Sequence, residues 1–91
     1  MPDPTDVRLS LGTKEDLRSG LFGYVRCRYG DLRIDGLTLR KNRRGRLVIG
    51  YPAREDSRGG RHAYVRPANR AVRRQFEAKI LEGLDLAEGA P

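Results

Sequence analysis

The sequence predicts an α+β domain: an antiparallel β-sheet of four to five strands followed by one C-terminal amphipathic helix, assembled as a dimer. Two patterns carry that expectation. Between residues 5 and 51, apolar side chains recur at every second position in short runs, the period of a strand with one buried face. From Val72 to Leu84 they recur at every fourth position, which makes an apolar stripe along a helix.

Thr5–Leu11 alternates, with Val7, Leu9 and Leu11 on one face and Asp6, Arg8 and Ser10 on the other. It reads as a half-buried strand. Gly12–Gly20 is polar and reads as a loop. Leu21–Tyr29 is the second strand, where Leu21, Gly23, Val25, Cys27 and Tyr29 share one face and Phe22, Tyr24, Arg26 and Arg28 share the other. Gly30-Asp31 supplies turn chemistry, and Leu32–Arg40 returns antiparallel to the second strand. Leu32 and Ile34 alternate in one phase, Leu37 and Leu39 in the opposite phase. A β-bulge near Asp35-Gly36 accounts for the slip, because one extra residue reverses the phase and glycine accommodates it.

Asn42–Gly45 is the next turn, and Arg46–Tyr51 is a fourth strand with Leu47, Ile49 and Tyr51 aligned. Pro52 ends it. Ala53–Arg61 reads as a basic loop with Gly59-Gly60 at its tip, and His62–Arg66 as a short fifth strand before Pro67. Asn69 is placed to cap the helix that follows. Its stripe of Val72, Phe76, Ile80 and Leu84 is widened by Ala71, Ala78 and Leu81, and Gly83 is a reasonable stop. The expected organisation is a disordered N-terminus over 1–4, one domain over 5–84 and an acidic flexible tail over 85–91.

Ninety-one residues suit one small core, and two-sided apolar strands in so short a chain point to pairing with a second copy. Cys27 is the only cysteine, which excludes an intrachain disulfide and fits a reducing, cytoplasmic setting. No apolar run approaches the ~20 residues of a membrane span, and Met1-Pro2-Asp3-Pro4 is not a signal peptide. A membrane partner is not expected. His62 is the only histidine, so neither a Cys–His dyad nor a His/Cys metal cluster is visible. The expectation is a protein that is not an enzyme, with no cofactor, metal or small-molecule substrate.

Charge is where the chain is most distinctive. Residues 40–74 carry Arg40, Lys41, Arg43, Arg44, Arg46, Arg54, Arg58, Arg61, Arg66, Arg70, Arg73 and Arg74 against only Glu55 and Asp56, a net of +10 in a chain of +7. Such self-repulsion destabilises a small domain unless an anionic partner neutralises it. Sixteen of the nineteen basic residues are arginine, whose planar fork can bond two phosphate oxygens at once. DNA or RNA is the expected partner. An acidic protein partner, with no nucleic acid, is the rival.

Three elements concentrate the charge: the turn Arg40–Arg46, the loop Arg54–Arg61 and the helix start Arg70–Arg74. Cations in a first helical turn oppose the macrodipole by a few tenths to about 1 kcal/mol each, yet they reinforce a phosphate bound at the free amides. Local relief by pairing Arg73 or Arg74 with Glu77 is the competing reading. If the three elements meet and neutralise about six phosphates, log K should fall against log salt with a slope of about −5 on duplex DNA. Phe22 and Tyr24, sharing a face with Arg26 and Arg28, offer either a stacking platform for bases or rings buried against a helix or second subunit. Burial is the preferred reading.

From Arg46 to Leu81 the order of features resembles the SpoVG family, the bacterial stage V sporulation and septation proteins. Asp6-Val7-Arg8-Leu9 is similar to that family's opening D-V-R-L, and Leu47-Val48-Ile49-Gly50-Tyr51-Pro52-Ala53-Arg54 to its L-F-V-A-M-P-S-K. Val65-Arg66-Pro67-Ala68-Asn69 stands where the family has A-H-P-I-N, and an amphipathic helix follows in both. The resemblance covers residues 5–82. It implies a small dimer that binds DNA and RNA and regulates gene expression and septation, with Arg54 at the position of the family's basic residue after the proline. Arg66 replaces a histidine, Tyr51 replaces a methionine, and Ser57-Arg58-Gly59-Gly60-Arg61 replaces an acidic turn.

Overall fold

Residues 3–85 are described in a computed structural model. Their elements are β1 (Thr5–Leu11), α1 (Lys14–Arg18), β2 (Leu21–Tyr29), β3 (Leu32–Lys41), β4 (Leu47–Gly50), β5 (Ala53–Glu55), β6 (Arg61–Ala63) and α2 (Arg70–Gly83). The fold is α+β, as the period change requires. Four strands pair antiparallel in chain order, β1-β2-β3-β4, and β5 and β6 form a separate two-stranded sheet. The termini expected to be loose lie mostly outside the described residues; Asp3, Pro4 and Asp85 are within them, and Pro4 is buried.

The alternation in β2 sorts as its spacing dictates. Leu21, Gly23, Val25 and Cys27 are buried, while Tyr24, Arg26 and Arg28 are exposed. Leu37 and Leu39 from β3 and Leu47 and Ile49 from β4 continue the buried face, and α2 closes over it with Phe76, Ile80 and Leu81. Burying each such side chain contributes about 1.5–3 kcal/mol relative to exposure. The bulge stands where the phase slip puts it. Val25 pairs Leu37 but Cys27 pairs Ile34, which leaves Asp35 and Gly36 opposite Arg26, with Gly36 at φ +83°.

Three expectations need correction, and a fourth gains a second role. Gly12–Gly20 contains a helical turn, α1, closed by a capping box in which Asp16 N–H donates to Thr13 Oγ1 at 3.1 Å and Thr13 N–H donates to Asp16 Oδ2 at 2.9 Å. The basic loop and the fifth strand are one hairpin. Ala53 pairs Ala63, Arg54 pairs His62 and Glu55 pairs Arg61, so β6 extends β5 instead of the main sheet, and Tyr64–Arg66 lies outside any strand. Leu11 lies on the predicted side of β1 but is 79% exposed. Gly83 is the last residue of α2, where the stop was expected, and it is also a packing contact: a Cβ there would come within 2.9 Å of Val7 Cγ2. The left-handed residue that ends the helical path is Asp85, at φ +59°.

Candidate nucleic-acid interface

The three predicted basic elements each have a built-in scaffold. In the β3–β4 turn, Asn42 Oδ1 accepts from the amides of Arg44 (2.9 Å) and Arg46 (3.0 Å), and Gly45 takes φ +76°. This is the local side-chain-to-backbone bonding that asparagine brings to turns. It leaves Arg43, Arg44 and Arg46 exposed, with Arg40 and Lys41 at the end of β3. In the β5–β6 hairpin, Asp56 Oδ1 accepts from the amides of Arg58 (2.9 Å) and Gly60 (2.8 Å), and its Oδ2 lies 2.6 Å from His62 Nε2. The bond with His62, then those with Gly60 and Arg58, hold its carboxyl below the usual range. Arg54, Arg58 and Arg61 project from that frame and are exposed.

At the start of α2 the two competing readings divide residue by residue. Asn69 caps the helix, accepting from Val72 N–H at 2.9 Å. Arg73 is taken locally: its Nε donates to Glu77 Oε2 at 2.6 Å and its guanidinium lies 5.9 Å from the Tyr51 ring centre. Glu77 also accepts from Tyr51 Oη (3.2 Å) and from Ile49 N–H (3.4 Å), which ties the helix to β4, the last strand of the main sheet. Burial first, then the Glu77 charge, pushes the Tyr51 phenol well above its ordinary range. Arg70 and Arg74 are exposed, with no carboxylate within 4.0 Å among the described residues. Arg66 lines a groove of about 580 Å³ with Tyr29, Leu32, Val65 and Val72.

Among the described residues, eleven of the twelve predicted contact residues have no carboxylate within 4.0 Å; Arg73 is the exception. They do not all lie together. The β3–β4 turn stands at one end of β4 and the β5–β6 hairpin leaves from the other, beyond Pro52.

A further basic surface is built mainly from arginines that were not among those contact residues. On the side of the sheet facing away from α2, the register sets Arg8 of β1 opposite Arg26 of β2, and Arg28 of β2 opposite Arg33 of β3, and all four are exposed. The four guanidinium-bearing side chains line one concavity of about 350 Å³ together with Asp6 and Cys27. Arg8 is bonded to Asp6 and Arg33 to Asp35, each at 3.3 Å and well exposed. Arg40 belongs to the same side, paired with Val48. Tyr24 stands on it half exposed, between Ser10 and Thr38, while Phe22 packs partly against the core. The signal in the sequence was the alternation that grouped Arg26 and Arg28 with Tyr24; Arg8 and Arg33 join them only through strand register.

Among the described residues no three His, Cys, Asp or Glu side chains stand close enough to hold a metal ion, and no helix is long and apolar enough to cross a membrane. Comparison with protein-family models, curated proteins and solved structures finds no match.

Proposed function

We propose that this protein binds DNA or RNA through its arginine-rich surface, as a regulatory protein of the SpoVG type acting on gene expression or septation. The observation that carries the reading is the set of eleven exposed basic residues with no carboxylate within 4.0 Å among the described residues. Arg73, by contrast, is engaged within the fold by Glu77. A polyphosphate backbone satisfies many guanidinium forks at once and releases condensed counterions as it does so. Such contacts position a protein without reading bases, so sequence selectivity is weak wherever they act alone. The family type rests on the motif resemblance at residues 5–82.

Filter binding with random duplex DNA, single-stranded DNA and RNA tests the function. Binding should weaken steeply with salt, and replacing Arg54, Arg58 and Arg61 with alanine should weaken it without unfolding the protein. Salt-insensitive binding, or none, rejects the reading and leaves an acidic protein partner. The protein is also proposed to act as a homodimer, which the apolar exposure of Leu32, Tyr64 and Val65 supports. A monomeric mass in light scattering at micromolar concentration rejects that part.

A further inference from the structure

We infer that the outer face of the sheet is a binding platform for single-stranded nucleic acid, with a phosphate held in the concavity between Arg26 and Arg28 and a base stacked on Tyr24. This rests on the nucleic-acid reading above and adds the strandedness of the ligand and its site.

The first argument is energetic. Directly opposed cross-strand residues lie with Cβ atoms about 4.5–5.5 Å apart, and like charges so placed destabilise a sheet. Here two such pairs, Arg8 with Arg26 and Arg28 with Arg33, are adjacent on the same face. Asp6 and Asp35 relieve only the outer member of each pair. Arg26 and Arg28, both on the central strand β2, have no carboxylate within 4.0 Å among the described residues. An anion seated between them turns the repulsion into attraction. A tetrahedral phosphate suits the site, since its oxygens can accept from several planar forks simultaneously.

The second argument is steric. Tyr24 lies two residues from Arg26 on β2, about 7 Å along the strand, a reach that the sugar of one nucleotide spans. Its cross-strand neighbours, Ser10 and Thr38, are small, and the residue is 50% exposed. Stacking on such a ring needs a base whose face is free, which a duplex does not offer and a single strand does. A second copy of this chain is a poor occupant, because a two-fold contact would set the same arginines against each other.

Fluorescence anisotropy with labelled oligothymidylate, and with its duplex against oligoadenylate, tests the inference, using polyglutamate as competitor. The wild type should prefer the single strand at least tenfold. Tyr24→Leu should lose roughly five- to a hundredfold of single-strand affinity, the range of one base–aromatic stack, and with it the preference. Arg26→Thr with Arg28→Thr should lose tenfold or more while melting no lower than wild type, since like-charge contacts are removed. The Arg54, Arg58 and Arg61 triple alanine variant should weaken single strand and duplex alike. If the outer-face variants bind as wild type while the hairpin variant does not, the platform is wrong and the nucleic-acid reading stands. If the wild type binds no nucleic acid, or polyglutamate displaces it as well as an oligonucleotide does, both fall.

Discussion

The two faces of the four-stranded sheet are built from the same strands and differ in almost everything else. On the covered face, Val25, Cys27, Leu37, Leu39 and Ile49 are at most 2% exposed, and α2 lies so close to β1 that a Cβ on Gly83 would come within 2.9 Å of Val7. On the outer face, arginines of neighbouring strands oppose one another and are exposed. Packing governs the first and charge the second. The contrast separates stability from binding: the residues that hold the fold and those proposed to meet a partner alternate along one strand, so each can be changed alone.

The largest expected effect comes from the covered face. Ile80 is fully buried, so Ile80→Ala should destabilise by about 2–5 kcal/mol, a fall of about 8 °C or more in a circular-dichroism melt at the roughly 4–8 °C per kcal/mol of a domain this size. A smaller change would mean that α2 is held less by its apolar stripe than by its polar ties.

Those ties are the next target. Glu77→Gln removes the charge that engages Arg73 and sits beside the Tyr51 phenol, and should destabilise by about 1–3 kcal/mol. The same variant should let Tyr51 ionise at lower pH than in the parent. It should stay above the ordinary value of 10.0, because burial is the larger cause of the shift. Ultraviolet titration reads both statements.

The outer face should respond in the opposite sense. Arg26→Thr relieves the opposition to Arg8 and should stabilise by about 0.2–1 kcal/mol in dilute buffer, with the gain shrinking at high salt as screening weakens the repulsion. A loss of stability at every salt concentration would place Arg26 in the fold's support and erase the contrast between the faces.

The smallest effect belongs to the β5–β6 hairpin. Asp56 has a lowered carboxyl pKa, so its contribution is complete above the ordinary 3.8 and disappears as pH falls through the depressed value. Protection of the Gly60 amide, followed by hydrogen exchange or nuclear magnetic resonance, should fade only in that acid range. Fading already at neutral pH would mean that Asp56 does not anchor the turn.

Several of these features were legible along the chain. The strand faces of β2 follow from a period of two, and the bulge at Asp35-Gly36 from the reversal of phase between Ile34 and Leu37. Asn69 was readable as a cap because a short polar side chain stood just before a four-residue period. The five-residue α1 is too short to display a period; its only signal was Thr13 with Asp16 three positions later. The three-residue strands β5 and β6 are shorter still, and their partnership depends on Asp56 closing the turn between them.

Residue order alone determined the α+β class, the strand alternation, the bulge and the excess of arginine, since each depends on neighbours a few positions away. Tertiary structure alone decided which arginines act together. Arg8, Arg26 and Arg33 come together because antiparallel register aligns strands that are separate in sequence. Arg73 is withdrawn from the free set because α2 sets Glu77 between it and the amide of Ile49 on β4. Electrostatic coupling decays with distance in space and takes no account of separation along the chain, so a count of charges in sequence cannot reveal which of them share a site.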